Sequence, residues 1–456
     1  MVLVAILVGT VIALPGAGRA AVASPVVTGP VTGGLRGHPL FDSWWNPADA
    51  GYVQEEFFVS GTATALGSTQ TAPYKTRIIV SRPLSATGFN GSVLLDWTNV
   101  TAQFENPVDT LEARQLLVRE GWAFVHVSAQ MAGICCTPLT PKVWDPVRYG
   151  SLAHPGDEYS YDIFSQVAQA IRSPGSVDPM GGLRVEKEIA AGQSQSAMYL
   201  DTYVRQVQPA AGVIDGFLIH GGGSKTWTPS PSVPVIHLLA DTEASPEDPT
   251  TSTNYRLREI AGTSHSDFWI GYEQEFGQGP RATVDQPQQR YSDEQQLNVT
   301  AGNYGEIAHP MDATCILAGA TFPMRYAVST ALHDLNAWVR NPSATPPIAP
   351  RFQFNGAVLA QDQYGNTLGG VRLPPIDVPV ARYVSRSCGL GGITVPFTDS
   401  ELHALYPTHR VYYSEIVSKT NAAVTAGWLL PPDGQDLLAR ACAAKVRWQQ
   451  PASPCP

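Results

Sequence analysis

The sequence predicts an α/β protein of the doubly wound class, with a mostly parallel sheet and helices on both faces. Three observations carry this reading. Through the middle of the chain β-rich runs alternate with helix-length segments, and strands separated in this way imply right-handed crossovers. A serine stands among small residues where one such strand gives way to a helix, at Gly192-Gln193-Ser194-Gln195-Ser196. Of the 456 residues, 43% are apolar and 15% charged, which is enough to bury a large core and far from a disordered composition.

The first segment reads as a leader. Val2 to Leu14 is an apolar run broken only by Gly9-Thr10, and Ala21-Val22-Ala23 before Ser24 is an A-x-A pattern suited to signal peptidase. We expect residues 1–23 to be a signal peptide and the protein to be secreted, although no Lys or Arg precedes the run. The alternative, a membrane anchor, needs about 20 apolar residues, and this run is shorter.

The strands and helices follow in order. Tyr52–Ser60 and Tyr74–Ser81 are β-rich, and Gly91–Trp97 is a short apolar strand ending at Thr98-Asn99. Asp109–Glu120 has helical spacing and leads into the strand Ala123–Ser128. The helix Tyr161–Ile171 precedes the strand Val185–Ala190, and another helix begins near Ser196. Strands Val213–Ile219, Val233–Leu239 and Tyr255–Ile260 come next. In Ala327–Val339 the residues Val328, Leu332, Leu335 and Trp338 form one helical stripe. We expect residues 24–345 to form the main α/β domain and 346–456 a C-terminal extension packed on it. The Gln-rich stretch 266–314 is either a lid or a surface insertion.

Charge and cysteine content narrow the partners. Lys+Arg 29 against Asp+Glu 39 gives a net charge of −10, whereas a nucleic-acid surface shows a basic excess. No further segment is long and apolar enough for stable membrane insertion. Six cysteines, at 135, 136, 315, 388, 442 and 455, suit an oxidising compartment. We expect Cys442–Cys455 to staple the C-terminus, and Cys135 and Cys136 to find separate partners, since a bond between neighbours closes a strained ring. The histidines are scattered without metal-ligand spacing, so no metal or other cofactor is expected.

The chemistry centres on Ser194. The pentapeptide matches the G-x-S-x-G nucleophile elbow with Ser196 in the last place, and a strand-turn-helix context surrounds it. A serine hydroxyl needs a histidine base, and the histidine needs an acid to hold its tautomer. The chain order Ser, acid, His is present: Ala240-Asp241-Thr242-Glu243 follows one strand, and Ala261-Gly262-Thr263-Ser264-His265 follows the next. We assign His265 as base and Glu243 as the favoured acid, with Asp241 as the alternative. The Gln195 N–H is one oxyanion donor by construction, and the Val100 N–H is the candidate for the other. His220-Gly221-Gly222-Gly223 follows the nucleophile instead of preceding it and reads as a flexible turn. Asn90, Asn99 and Asn298 match N-x-S/T, a common triplet.

Taken together, Gly51-Tyr52-Val53, Tyr74-Lys75-Thr76-Arg77, Trp144–Gly150, the Gly-Gln-Ser-Gln-Ser elbow, Ala261–His265 and Gly365–Pro374 resemble the bacterial and fungal alpha/beta-hydrolase-domain family whose elbow reads G-Q-S-Q-S. The resemblance runs from about residue 45 to near residue 440. It implies the alpha/beta-hydrolase fold, a serine hydrolase of esterase type acting on a small-molecule or polymeric ester, and Ser196 as a family trait. The rivals are an acyltransferase or amide hydrolase using the same triad, and a secreted binding protein holding polymer on the aromatic loops around Trp44-Trp45 and Trp269.

Overall fold

The computed structural model describes residues 22–444 apart from 44, 251, 268 and 271–319. Residues 1–21 of the expected leader, most of the 266–314 stretch and Cys455 therefore lie outside the described residues.

A nine-stranded sheet runs through the molecule. Its strands are β1 (Val26–Thr28), β2 (Tyr52–Thr64), β3 (Thr71–Pro83), β4 (Ser92–Trp97), β5 (Ala123–Val127), β6 (Lys187–Gln193), β7 (Gly216–His220), β8 (Val235–Ala240) and β9 (Tyr255–Ile260). The order is β1-β2-β3-β5-β4-β6-β7-β8-β9. The first three strands and the β3–β5 pair are antiparallel, and all pairs from β5 to β9 are parallel. In this order β4 has β5 on one side and β6 on the other, so chain direction across the sheet reverses there. Ligand sites of open α/β sheets form at such a switch point, beyond the carboxyl ends of the strands.

Because side chains alternate across a strand, each central strand feeds two cores, and such strands read as continuous apolar runs. Leu94, Ile189, Ala191 and Leu218 face one cluster with α1 (Val108–Arg119) and α4 (Met324–Arg340). Val93, Leu95, Ala190, Phe217 and Ile219 face the other, with α2 (Ser160–Arg172) and α3 (Gln195–Thr202). The α4 stripe is buried as its spacing predicts: Val328, Leu332 and Leu335 are fully covered.

The C-terminal extension carries two small hairpins and the helices α5 (Asp399–Leu405), α6 (His409–Thr425) and α7 (Pro431–Ala443). Leu373, Ile376, Tyr383, Tyr412 and Leu437 belong to the same apolar cluster as α1 and α4. Among the described residues, no helix is long and apolar enough to cross a membrane.

Three sequence expectations need correction. The strand expected at 185–190 runs from 187 to 193. Its start slips because the Glu186 and Lys187 N–H groups both bond to the Gly91 carbonyl, and its end extends because Gln193 pairs with His220. The strand expected at 213–219 likewise shifts to 216–220; the Asp215 carboxylate is taken up by Arg172 and the Glu188 N–H. Finally, Cys135 and Cys136 are bonded to each other, with Cα atoms 3.7 Å apart. A tight turn with Cys136 at φ 92° brings the two sulfurs together, a local geometry that cysteine spacing does not reveal. Cys388 and Cys442 also take part in disulfides.

Candidate active site

Strand β6 closes on Gly192-Gln193 and α3 opens at Gln195, so Ser194 alone makes the turn. Its backbone lies at φ 61° and ψ −119°, a region that L residues adopt only where the surroundings enforce it. Here its N–H donates to the His220 carbonyl at 2.8 Å, and its carbonyl accepts the Met198 N–H at 3.2 Å. Small neighbours are a steric requirement. A Cβ on Gly192 would sit 3.0 Å from the Ser196 Cβ, and one on Gly222 would sit 2.7 Å from the Ser194 carbonyl oxygen. Ser196 is itself fully buried; its Cβ fits because Gly192 carries none.

His220-Gly221-Gly222 is packed, contrary to the flexible turn read from the place of this stretch after the nucleophile. His220 ends β7, is buried, and its Nδ1 lies 2.9 Å from Asp109 Oδ1 on α1. Gly221, at φ 64°, faces His265: a Cβ there would lie 3.3 Å from its Nδ1. The glycines let the end of β7 approach both the elbow and the histidine loop.

After β8 a single 3-10 turn, Asp241–Glu243, carries both candidate acids. Glu243 Oε2 accepts the Ala240 N–H at 2.8 Å, and Oε1 lies 2.6 Å from His265 Nδ1. Burial pushes the Glu243 carboxyl up, but the hydrogen bond and charge of His265, together with the Ala240 N–H, outweigh it and hold it below the usual carboxylate range. With Nδ1 donating to that carboxylate, Nε2 is the ring nitrogen left to accept a proton. Asp241 points elsewhere: its Oδ2 accepts the Gly262 N–H at 3.1 Å and the Thr367 hydroxyl at 2.6 Å. Burial pushes Asp241 up to about 7, against those hydrogen bonds.

Gln193 joins the parts, and sequence reasoning passed over it. Its side-chain amide donates to the His265 carbonyl at 2.8 Å, while its own carbonyl accepts from the Asn99 amide at 2.9 Å. The available signal was its fixed place in the motif, one residue before the serine. Asn99, one of the N-x-T asparagines, is buried by this contact.

The loop after β4 is pinned by reciprocal backbone bonds between Asn99 and Asn106, both 2.8 Å. Val100 sits within it, 4% exposed. Among the described residues, no protein acceptor takes the Val100 or Gln195 N–H. A buried ion network braces the loop from below. Glu105 pairs with Arg77 at 2.5 Å, Arg77 with Glu56 at 3.1 Å, and Glu56 with Arg148 at 2.7 Å and the Tyr149 hydroxyl at 2.8 Å. Arg77, Arg148 and Tyr149 come from two of the stretches singled out in the sequence, whose role is thus structural support under the site.

Trp45 and Trp269, expected on aromatic binding loops, are both buried; Trp269 packs its indole N–H toward the Leu111 carbonyl of α1. Trp44 lies outside the described residues. Among the described residues, no group of three or more His, Cys, Asp or Glu side chains is placed to hold a metal ion.

The chain matches the family model of an alpha/beta hydrolase domain over residues 27–439. No curated protein matches it. Among solved structures it is similar to the esterase Est22, with 13% identity over 43% of this chain and 67% of that one and a TM-score of 0.28. XC6422 from Xanthomonas campestris, an a/b serine hydrolase without lid, is 15% identical over 52% of this chain and 94% of that one, with a TM-score of 0.28. A CE15 glucuronoyl esterase from Teredinibacter turnerae is 10% identical over 50% and 63%, with a TM-score of 0.26.

Proposed function

Because the chain belongs to the alpha/beta hydrolase domain family, we propose that this hydrolase is a secreted carboxylic-ester hydrolase working through Ser194, His265 and Glu243. The observation that carries the reading is one constellation. A serine in a strained strand-to-helix turn and a Glu243–His265 pair 2.6 Å apart sit on the loops after β6, β8 and β9, and the elbow residue Gln193 donates to the His265 carbonyl at 2.8 Å.

In this reading Ser194 Oγ attacks the ester carbonyl while His265 Nε2 takes its proton. The negative charge that develops on the carbonyl oxygen is met by the Gln195 and Val100 N–H groups. Collapse expels the alcohol, which leaves with the proton from His265, and water repeats the cycle on the acyl-enzyme. Glu243 keeps Nδ1 protonated and stabilises the imidazolium. The Asn99–Gln193–His265 hydrogen bonds set the oxyanion loop, elbow and histidine loop in register. Residues 1–23 act as the secretion signal, and 346–456 serve as an extension integral to the catalytic unit.

A fluorophosphonate probe tests the reading. It should label the wild type at Ser194 and leave Ser194→Ala unmodified. Labelling of a different residue, or none in the folded wild type, would remove the serine from its role.

A further inference from the structure

The Gly365–Pro374 stretch is the most regular motif of the C-terminal extension, and the proposed chemistry does not use it. Its position in the fold gives it one. The Val371 N–H donates to the Glu259 carbonyl at 2.7 Å, and the Ala261 N–H donates to the Val371 carbonyl at 3.0 Å, so the segment runs alongside the end of β9. The approach is close enough that a Cβ on Gly370 would meet the Glu259 carbonyl oxygen at 2.7 Å. Arg372 folds back onto the Thr367 carbonyl and pairs with Asp362 and Asp377 at 3.0 and 2.8 Å, which pins the turn that carries Thr367.

From there the Thr367 hydroxyl donates to Asp241 Oδ2 at 2.6 Å, and the same oxygen accepts the Gly262 N–H at 3.1 Å. The Asp241 N–H closes a second link, to the Thr263 carbonyl at 3.2 Å. Arg386, also in the extension, reaches the carbonyls of Asp241 and Ala244. Asp241 therefore stands at the start of the turn that ends in Glu243 and is bonded twice to the loop that ends in His265.

We propose that Asp241 and Thr367 are positioning residues: through them the C-terminal extension sets the distance between the Glu243 carboxylate and the His265 ring. The inference rests on the triad reading above. Both residues are buried, Asp241 at 1% and Thr367 at 4% exposure. Their effect is geometric, and misplacing reacting groups by about 1 Å costs roughly a hundredfold in rate. Partial loss of one hydrogen bond, with the rest of the junction intact, should cost about tenfold.

The test compares Thr367→Val, which keeps the side-chain shape and removes the donor, with Thr367→Ser, which restores it. Turnover of p-nitrophenyl acetate is measured together with the low-field proton resonance of the His265 Nδ1–H bond to Glu243. We expect Thr367→Val to lose about tenfold in kcat with KM little changed and to shift that resonance, and Thr367→Ser to recover both. A role in stability alone would lower the melting temperature and leave the resonance and kcat where they were, and that result overturns the proposal. Should Thr367→Val fail to fold, Asp241→Asn against Asp241→Ala asks the same question. The amide carbonyl can accept both hydrogen bonds and should retain kcat and resonance; alanine should lose them, and an alanine variant unchanged in both overturns the proposal. Failure of the hydrolase reading is distinguishable: it would appear as wild-type turnover indifferent to Ser194→Ala, and the resonance would then decide the positioning role by itself.

Discussion

Glu243 Oε1 and His265 Nδ1 lie 2.6 Å apart, joined across the ends of two adjacent parallel strands. The acid stands three residues beyond Ala240 and the histidine five beyond Ile260. In the proposed triad that contact favours Glu243, whereas the Asp241 carboxylate takes its hydrogen bonds from Gly262 and Thr367.

The first prediction follows from this division. Glu243→Gln should lower kcat by roughly 10² to 10⁴, since an amide can present an N–H to Nδ1 and favour the wrong tautomer. Asp241→Asn, which keeps an acceptor for Gly262 and Thr367, should stay within about threefold of wild type. Steady-state kinetics on one p-nitrophenyl ester decides it, and the reverse ranking would make Asp241 the triad acid.

A second concerns stability and pH. Asp241 has an ordinary pKa of 3.8 and is pushed up to about 7 by burial. Between these values the folded protein keeps a proton that the unfolded chain gives up. Its contribution is fully present below the unfolded value and is lost as pH rises through about 7. Glu243 is shifted down and works in the opposite sense, at lower pH. Asp241→Asn cannot titrate, so its melting temperature relative to wild type should climb from about pH 4 to about pH 7 and level off above it. A difference that stays flat with pH would contradict the shift.

Glycine positions supply a third. Gly222→Ala places a Cβ 2.7 Å from the Ser194 carbonyl oxygen and 3.2 Å from the Ala197 Cβ, so the elbow must move. We expect kcat to fall about tenfold or more and the melting temperature to drop. Gly175→Ala, which meets nothing within 4 Å, should change neither. Unimpaired turnover by Gly222→Ala would mean that β7 does not press on the elbow.

The cysteine pair gives a fourth. Tryptic digestion without reduction should release residues 120–142 as one peptide carrying an internal bond between Cys135 and Cys136. After reduction both cysteines should take up alkylating reagent. Recovery of this peptide cross-linked to a second one would contradict the adjacent pairing.

Much of this was legible in the sequence, for identifiable reasons. Strands buried on both faces read as apolar runs, and the residues just past their carboxyl ends, Ser194, Glu243 and His265, fall where an α/β sheet gathers its site. Strand ends were less legible at β6, where Gly192 resembles a break yet sits inside the strand because α3 packs against it. Contacts distant in sequence left no local trace. Thr367 meets Asp241 across 126 positions, and Gln193 meets His265 across 72. The motifs at 74–77, 144–150 and 365–374 could be recognised, but nothing in them tells that two supply an ion network reaching Glu105 in the loop after β4 and that the third bonds to the residues after β8 and β9. The Cys135–Cys136 bond escaped because a general argument from ring strain cannot see a turn that already holds the two residues together.

The role proposed for Ser194 is tested most directly by the hydrolysis of p-nitrophenyl esters, from acetate to palmitate, by the wild type and by Ser194→Ala. The wild type should show measurable turnover, and the variant should lose roughly 10³-fold or more in kcat/KM with its fold intact by circular dichroism. Equal turnover by the two proteins would contradict that role.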